Sequence, residues 1–351
     1  MRGNRLVAAL GVLTLPIALT ACGWAGAEPA TGFTPRPAPD RAYAVGVRTL
    51  EIGRDTARPL PVTIWYPALP DPADAPDAAG TPPPRSPAPT QRAATRDRHR
   101  PGGEPSATPG VESGAMSPTP RRNAPIAPGR FPIVLFSHGL HSLPEWHASL
   151  TTRWAAAGFV VAAPAYPHTK SRAPRFDRSD VRHQPGDAWR VIRQVSRLDQ
   201  LPGDRFAGHL DVTRIAAAGH SAGGFTTAGL FTEGHSEWLR AGIVIAGGGM
   251  AGTFAGPPAA LLFVHGSADR IVPASTGREA YRRASWPKAF LTLRDQGHTE
   301  YLTPGRPGFD QVVAVTTDFL RWTLYGDGAA RERIPAGARA PGVTEFVDLL
   351  D

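Results

Sequence analysis

The stretch that most restricts the fold is an apolar run, Ile215-Ala216-Ala217-Ala218, that ends in Gly219-His220-Ser221-Ala222-Gly223 and leads at once into a segment able to form a helix, Phe225 to Phe231. A strand that turns this sharply into a helix forces its central residue into a strained conformation and leaves no room for neighbouring side chains. Glycines two residues before and after Ser221 supply that room. The turn also lifts a serine hydroxyl above a sheet edge and aims the first amides of the new helix at any negative charge that develops there. The simpler alternative is a glycine-rich turn whose serine only caps the helix.

The rest of the chain fits one large α/β domain, for which 351 residues at 41% hydrophobic content are sufficient. From Arg130 onward, short apolar strands alternate with helices. The strands are read at Phe131 to Phe136, Phe159 to Ala163, Ile215 to Ala218, Ala241 to Ala246, Ala260 to Val264 and Ala289 to Leu293. Helices are expected from a capping box at Ser142 to Glu145 as far as Ala157, over Gly186 to Leu201, and around Ser275 to Ala284 and Gln311 to Leu324. Upstream, Tyr43 to Leu50 and Leu60 to Pro67 read as a hairpin. The expected fold is therefore a mostly parallel central sheet with helices on both faces.

In such a sheet, reactive groups gather at the carboxyl ends of the strands. The strand ending at Val264 runs into His265-Gly266-Ser267-Ala268-Asp269, and the next ends in Gln296-Gly297-His298. A serine hydroxyl becomes a competent nucleophile when a histidine accepts its proton and a carboxylate orients that histidine. Ser221, Asp269 and His298 are the candidates for these roles. Asp295 competes for the acid role, but so short a separation along an extended segment points its side chain away from His298. His138, His220 and His265 read as packed or turn-bonding residues rather than bases.

The two oxyanion donors are expected to be the backbone amides of Ala222 and Leu140, the latter on the loop after Ser137-His138-Gly139. Trp146, Tyr166 and His168 either line an acyl pocket or belong to core and surface. His141 and His147 lack further ligands at metal-binding spacing, and Gly247-Gly248-Gly249 lacks the spacing of a nucleotide loop. No metal or organic cofactor is expected.

Two segments fall outside this pattern. Residues 1–21 read as a secretory signal, with Arg2 and Arg5 ahead of an apolar run from Leu6 to Leu19 that is too short for a stable membrane span. Its end, Leu19-Thr20-Ala21-Cys22, resembles the lipobox of bacterial lipoproteins. That resemblance implies cleavage before Cys22, lipidation of its sulfur and anchoring on the extracytoplasmic side of the membrane. A secreted protein with one unpaired cysteine is the alternative. Residues 22–40 then read as a tether, and residues 70–129 as a disordered proline-rich insertion in a single domain spanning 41–351. The insertion holds 15 of the 38 prolines and no Phe, Trp or Tyr.

The formal charge of +8 falls to +6 when Arg2 and Arg5 leave. No concentrated basic face or recognition motif accompanies it, which argues against nucleic acid as a partner.

Trp65-Tyr66-Pro67, Ser137-His138-Gly139-Leu140, Gly219 to Gly224, His265 to Asp269 and Gly297-His298 together resemble the dienelactone hydrolase-like α/β hydrolases. More narrowly, they resemble the branch with platelet-activating factor acetylhydrolase and the cutinase-like polyester hydrolases. The chain lacks a second cysteine and so the usual disulfide of the polyester hydrolases, and it has serine where dienelactone hydrolase has a cysteine nucleophile. The resemblance implies a monomeric serine hydrolase acting on a small-molecule or lipid ester, with Leu140 and Ala222 forming the oxyanion hole. A hydrolase fold turned into a non-catalytic binding lipoprotein is the reading from another class.

Overall fold

The computed structural model describes residues 34–71 and 119–351. The signal segment, Cys22, most of the tether and residues 72–118 of the insertion lie outside the described residues.

The described chain forms one ten-stranded sheet. In chain order its strands are β1 (Ala44–Ile52), β2 (Leu60–Ala68), β3 (Arg121–Arg122), β4 (Phe131–Ser137), β5 (Val160–Pro164), β6 (Leu210–His220), β7 (Leu239–Ile245), β8 (Ala260–Gly266), β9 (Lys288–Leu293) and β10 (Thr344–Leu349). Across the sheet they run β10-β9-β8-β7-β6-β4-β5-β2-β1-β3. The six central strands, β9 to β5, are parallel. The hairpin of β1 and β2 joins one side antiparallel through β5, and β10 closes the other antiparallel to β9.

Parallel strands buried on both faces need apolar side chains at every position. β4 shows why: Ile133 and Leu135 enter one core while Val134 and Phe136 enter the other. The first core is covered by α2 (Gln184–Arg197), α3 (Ala222–Gly229) and α4 (Ala274–Arg283). The second is covered by α1 (Ala148–Ala156), α5 (Phe309–Tyr325) and α6 (Gly328–Gly337). This is the expected α/β architecture.

The capping box at Ser142 to Glu145 does not form. A short 3₁₀ turn, Pro144–His147, precedes α1, and its N-cap is Leu143 with no side-chain bond. Glu145 instead accepts a 2.6 Å hydrogen bond from Thr63 of β2, a partner that local sequence cannot supply.

The proline-rich stretch rejoins the domain before Gly129. β3 pairs with β1, the Asn123 amide donates to Val47 O at 2.8 Å, and Ala124 and Ala127 are buried. Residues 34–40 also lie against the domain, with the Arg36 amide on Tyr325 O and the Arg36 guanidinium 2.8 Å from Asp211. Two buried carboxylates, Asp180 and Asp187, converge on Arg58 at the end of the β1–β2 turn.

Candidate active site

β6 delivers Ser221 to the carboxyl edge of the sheet at φ 58° and ψ −121°. A side chain at positive φ is strained, and the surrounding contacts explain why the chain accepts it. A Cβ on Gly219 would lie 2.2 Å from Gly223 O, and one on Gly223 would lie 1.9 Å from Ser137 O. Only glycine lets β4, β6 and the first turn of α3 approach so closely. Although Ser221 precedes α3, its side chain makes no capping hydrogen bond, so the plain helix-cap alternative fails. The Ser221 amide is tied to Ile245 O at 2.9 Å, which fixes the turn against β7. Gly247, the first glycine of the triple run, packs backbone to backbone against Gly224.

The candidate acid and base lie in the loops after β8 and β9, the two strands beyond β7. His298 Nδ1 lies 2.6 Å from Asp269 Oδ2. The other oxygen, Oδ1, accepts the amides of Ile271 at 2.8 Å and Val272 at 2.9 Å. Burial pushes the Asp269 carboxyl up, but the bonds from His298, Val272 and Ile271 outweigh it and hold the group below its usual range. Because Asp269 occupies Nδ1, Nε2 of His298 is the nitrogen left to take a proton. Asp295 sits at φ 55°, and its amide is taken by Ser267 Oγ at 2.9 Å.

Three further histidines brace this arrangement. His220 Nε2 donates to the main-chain oxygen of His298 at 2.9 Å, coupling the residue before Ser221 to the loop that carries His298. His265 Nε2 donates to Val272 O at 2.9 Å and lies 3.4 Å from Asp269 Oδ2. His138 accepts the Tyr166 amide on Nε2 at 3.0 Å, so Nδ1 carries the proton and donates to Gly139 O at 2.7 Å. Burial lowers His138 and His220 to about 4, so both rings are neutral near pH 7. Each had read as a packed or turn-bonding residue. Their specific partners become visible only once the strand ends are assembled.

Leu140 follows the Gly139 carbonyl held by His138, and Ala222 opens α3 beside Ser221. Among the described residues, neither amide finds a main-chain acceptor. Tyr166 is fully buried and bonded to Ser137 Oγ at 2.9 Å, so it belongs to the core. Trp146 is 63% exposed at the edge of the site, and His168 bonds Arg175 O. His141 stacks on Phe176, and His147 packs on Phe136 and His220. Among the described residues, no group of three or more His, Cys, Asp or Glu side chains could hold a metal ion.

Two comparisons bear on this geometry. A family model described as Chlorophyllase, an α/β-hydrolase-type esterase family, matches residues 108–253. The match takes in Leu140, Ser221 and Ala222 and stops before Asp269 and His298. A Bacillus subtilis (strain 168) protein named "Putative esterase YitV" is 29% identical over 118 residues, which is 33% of this chain and 44% of that protein. The alignment therefore spans less than half of the relative's length. The architecture is that of an α/β fold with a mostly parallel sheet between helical layers, consistent with an α/β-hydrolase family.

Proposed function

We propose that this chain is a serine hydrolase of carboxylic esters. The observation that carries the reading is Ser221, strained and uncapped at the end of β6, together with the 2.6 Å His298–Asp269 pair after the two strands beyond β7, whose His298 carbonyl is bonded by His220, the residue before the serine. Esterase descriptions in both comparisons support the same chemistry.

In the proposed mechanism, Ser221 Oγ attacks the ester carbonyl as His298 Nε2 takes its proton, and Asp269 stabilises the imidazolium. The amides of Leu140 and Ala222 receive the oxyanion. Collapse breaks the bond to the alcohol, which leaves with the proton from His298, and an acyl-Ser221 remains. Water, deprotonated by His298, then attacks the acyl carbon. The acid departs and the serine regains its proton.

A lipid or polyester substrate is the second reading. Trp146 at 63% and Ile271 at 72% exposure, on the loops that carry Leu140 and Asp269, face solvent, and so does Phe176, 39% exposed and stacked on His141. Anchoring through Cys22 outside the membrane, supported by the apolar run that leads into it, would bring such a rim close to lipid.

A series of p-nitrophenyl esters from acetate to palmitate, with Ser221→Ala as control, tests the proposal. The expected result is turnover in the parent chain, none above background in the variant, and fluorophosphonate labelling of the parent alone. A peak at short acyl chains supports a small-pocket esterase, and one at long chains supports the lipid or polyester reading. Undiminished turnover or labelling in Ser221→Ala refutes the mechanism. A parent chain that neither turns over nor labels refutes the esterase reading and leaves the non-catalytic alternative.

A further inference from the structure

A cleft of about 550 Å³ lies at the opposite edge of the sheet from Ser221. Its floor includes Val212 and Ile215, from the amino half of β6, the strand whose other end carries Ser221. Six residues separate Ile215 from Ser221, which at strand rise is about 20 Å, so this is not the site described above. One wall is a single face of α2, where Trp189, Ile192, Arg193, Ser196 and Arg197 recur at helical spacing. The facing wall is the 232–238 segment after α3, including His235 and the 46% exposed Trp238.

Two features give the cleft a chemical preference, and a third, an unpartnered ring nitrogen, marks its wall. Two indole rings and the apolar floor suit a hydrocarbon or aromatic body, and the volume is in the range of small-molecule sites. Arg193 and Arg197, both exposed and one helical turn apart, suit an anionic head. Arg190 on the same helix is tied to Asp187 at 3.2 Å, whereas Arg193 and Arg197 have no ion pair among the described residues. Glu233 is the carboxylate at this cleft, and it is exposed. Finally, His235 is only 7% exposed, and its Nδ1 faces two carbonyls, Thr232 O at 2.8 Å and Ala255 O at 3.1 Å. Nδ1 must therefore carry the proton. That leaves Nε2 a buried acceptor with no partner among the described residues.

We infer that this cleft is a second binding site, for a small amphiphilic anion: an apolar body between Trp189 and Trp238, with a carboxylate on Arg193 and Arg197. The inference does not depend on Ser221 being a nucleophile.

The test is isothermal titration of the full chain with octanoate, with 1-octanol as the uncharged probe of the same length. Variants Arg193→Gln/Arg197→Gln and Trp238→Ala are titrated beside the parent, and circular dichroism verifies their fold. The expected result is one octanoate per chain, weakened about tenfold or more by the double arginine variant and by Trp238→Ala, with octanol at least tenfold weaker than octanoate. Octanoate binding that is unchanged in both variants belongs elsewhere, the Ser221 site included, and overturns the inference. So does octanol binding as tight as octanoate, and so does the absence of octanoate binding.

Discussion

Asp269 and His298, 29 residues apart in sequence, meet at 2.6 Å, while Asp295, only three residues before His298, gives its amide to Ser267 and stands outside that pair. Adjacent parallel strands bring their following loops together, so β8 and β9 deliver the two partners side by side. A Cβ on Gly266 would lie 2.1 Å from Gly297 O, which shows how tightly the two loops are packed. Asp269→Asn should therefore keep the fold and lower kcat for p-nitrophenyl acetate by about 10³–10⁴-fold, through loss of the tautomer-fixing carboxylate. Asp295→Asn should leave kcat within about twofold of the parent. The opposite ranking in steady-state kinetics would move the acid role to Asp295.

His138 does not face the reacting atoms, yet its ring holds one side of the Gly139–Leu140 peptide. The carbonyl of that unit is bonded to Nδ1, so its other end, the Leu140 N–H, has a fixed direction. Replacing the ring with His138→Phe also strands the Tyr166 amide, which now donates to Nε2. The expected effect is a drop in kcat of about 10–100-fold with KM nearly unchanged, because an oxyanion donor acts on the transition state. Equal changes in kcat and KM would show a general loosening of the loop instead.

The central sheet was legible because each parallel strand is buried on both faces, so runs such as Phe131 to Phe136 carry almost no polar residue. The geometry of the candidate site was legible because Gly219 and Gly223 mark a turn that no other residue fits, and because strand order then brings the loops of Asp269 and His298 together. The misses are elements held by pairing or packing that their own residues do not announce. β10 alternates half-buried and exposed positions at the sheet edge and pairs with β9. α6 contains Pro335 and begins and ends in glycine, yet Asp327 caps it through the Ala330 amide and Ile334 anchors it in the core. Ala124 and Ala127 are buried within a proline-rich stretch whose composition gives no sign of a core.

Gly223 offers a sharper test of the turn than Ser221 itself. Its substituted Cβ would fall 1.9 Å from Ser137 O, a backbone atom that cannot move without displacing β4. Gly223→Ala should lower stability by about 3 kcal/mol or more in urea unfolding and abolish fluorophosphonate labelling. Gly234 provides the comparison: its φ is +79° but nothing lies within 4 Å of its Cβ, so Gly234→Ala should cost only about 1–2 kcal/mol and leave labelling intact.

The buried histidines predict how stability responds to acid. Burial lowers His138 and His220 from 6.5 to about 4, and it holds His147 well below its usual value. Below pH 6.5 the unfolded chain takes up protons that the folded chain refuses, so these groups make stability fall with pH, from about 6.5 down to about 4. His138 and His220 each contribute a slope of about 1.4 kcal/mol per pH unit across that window, and His147 acts in the same direction. Asp269 acts lower: its folded carboxyl is held below its usual 3.8, so its contribution is complete above that value and is lost only as pH falls through the folded pKa. Urea midpoints measured at pH 7.5, 6.0 and 5.0 should therefore drop well before carboxylates titrate, and His147→Phe should flatten the fall by removing one proton-linked group. A midpoint constant from pH 7.5 to 5.0 would mean that these rings accept protons inside the fold, and neutral imidazoles could then no longer be what braces the site.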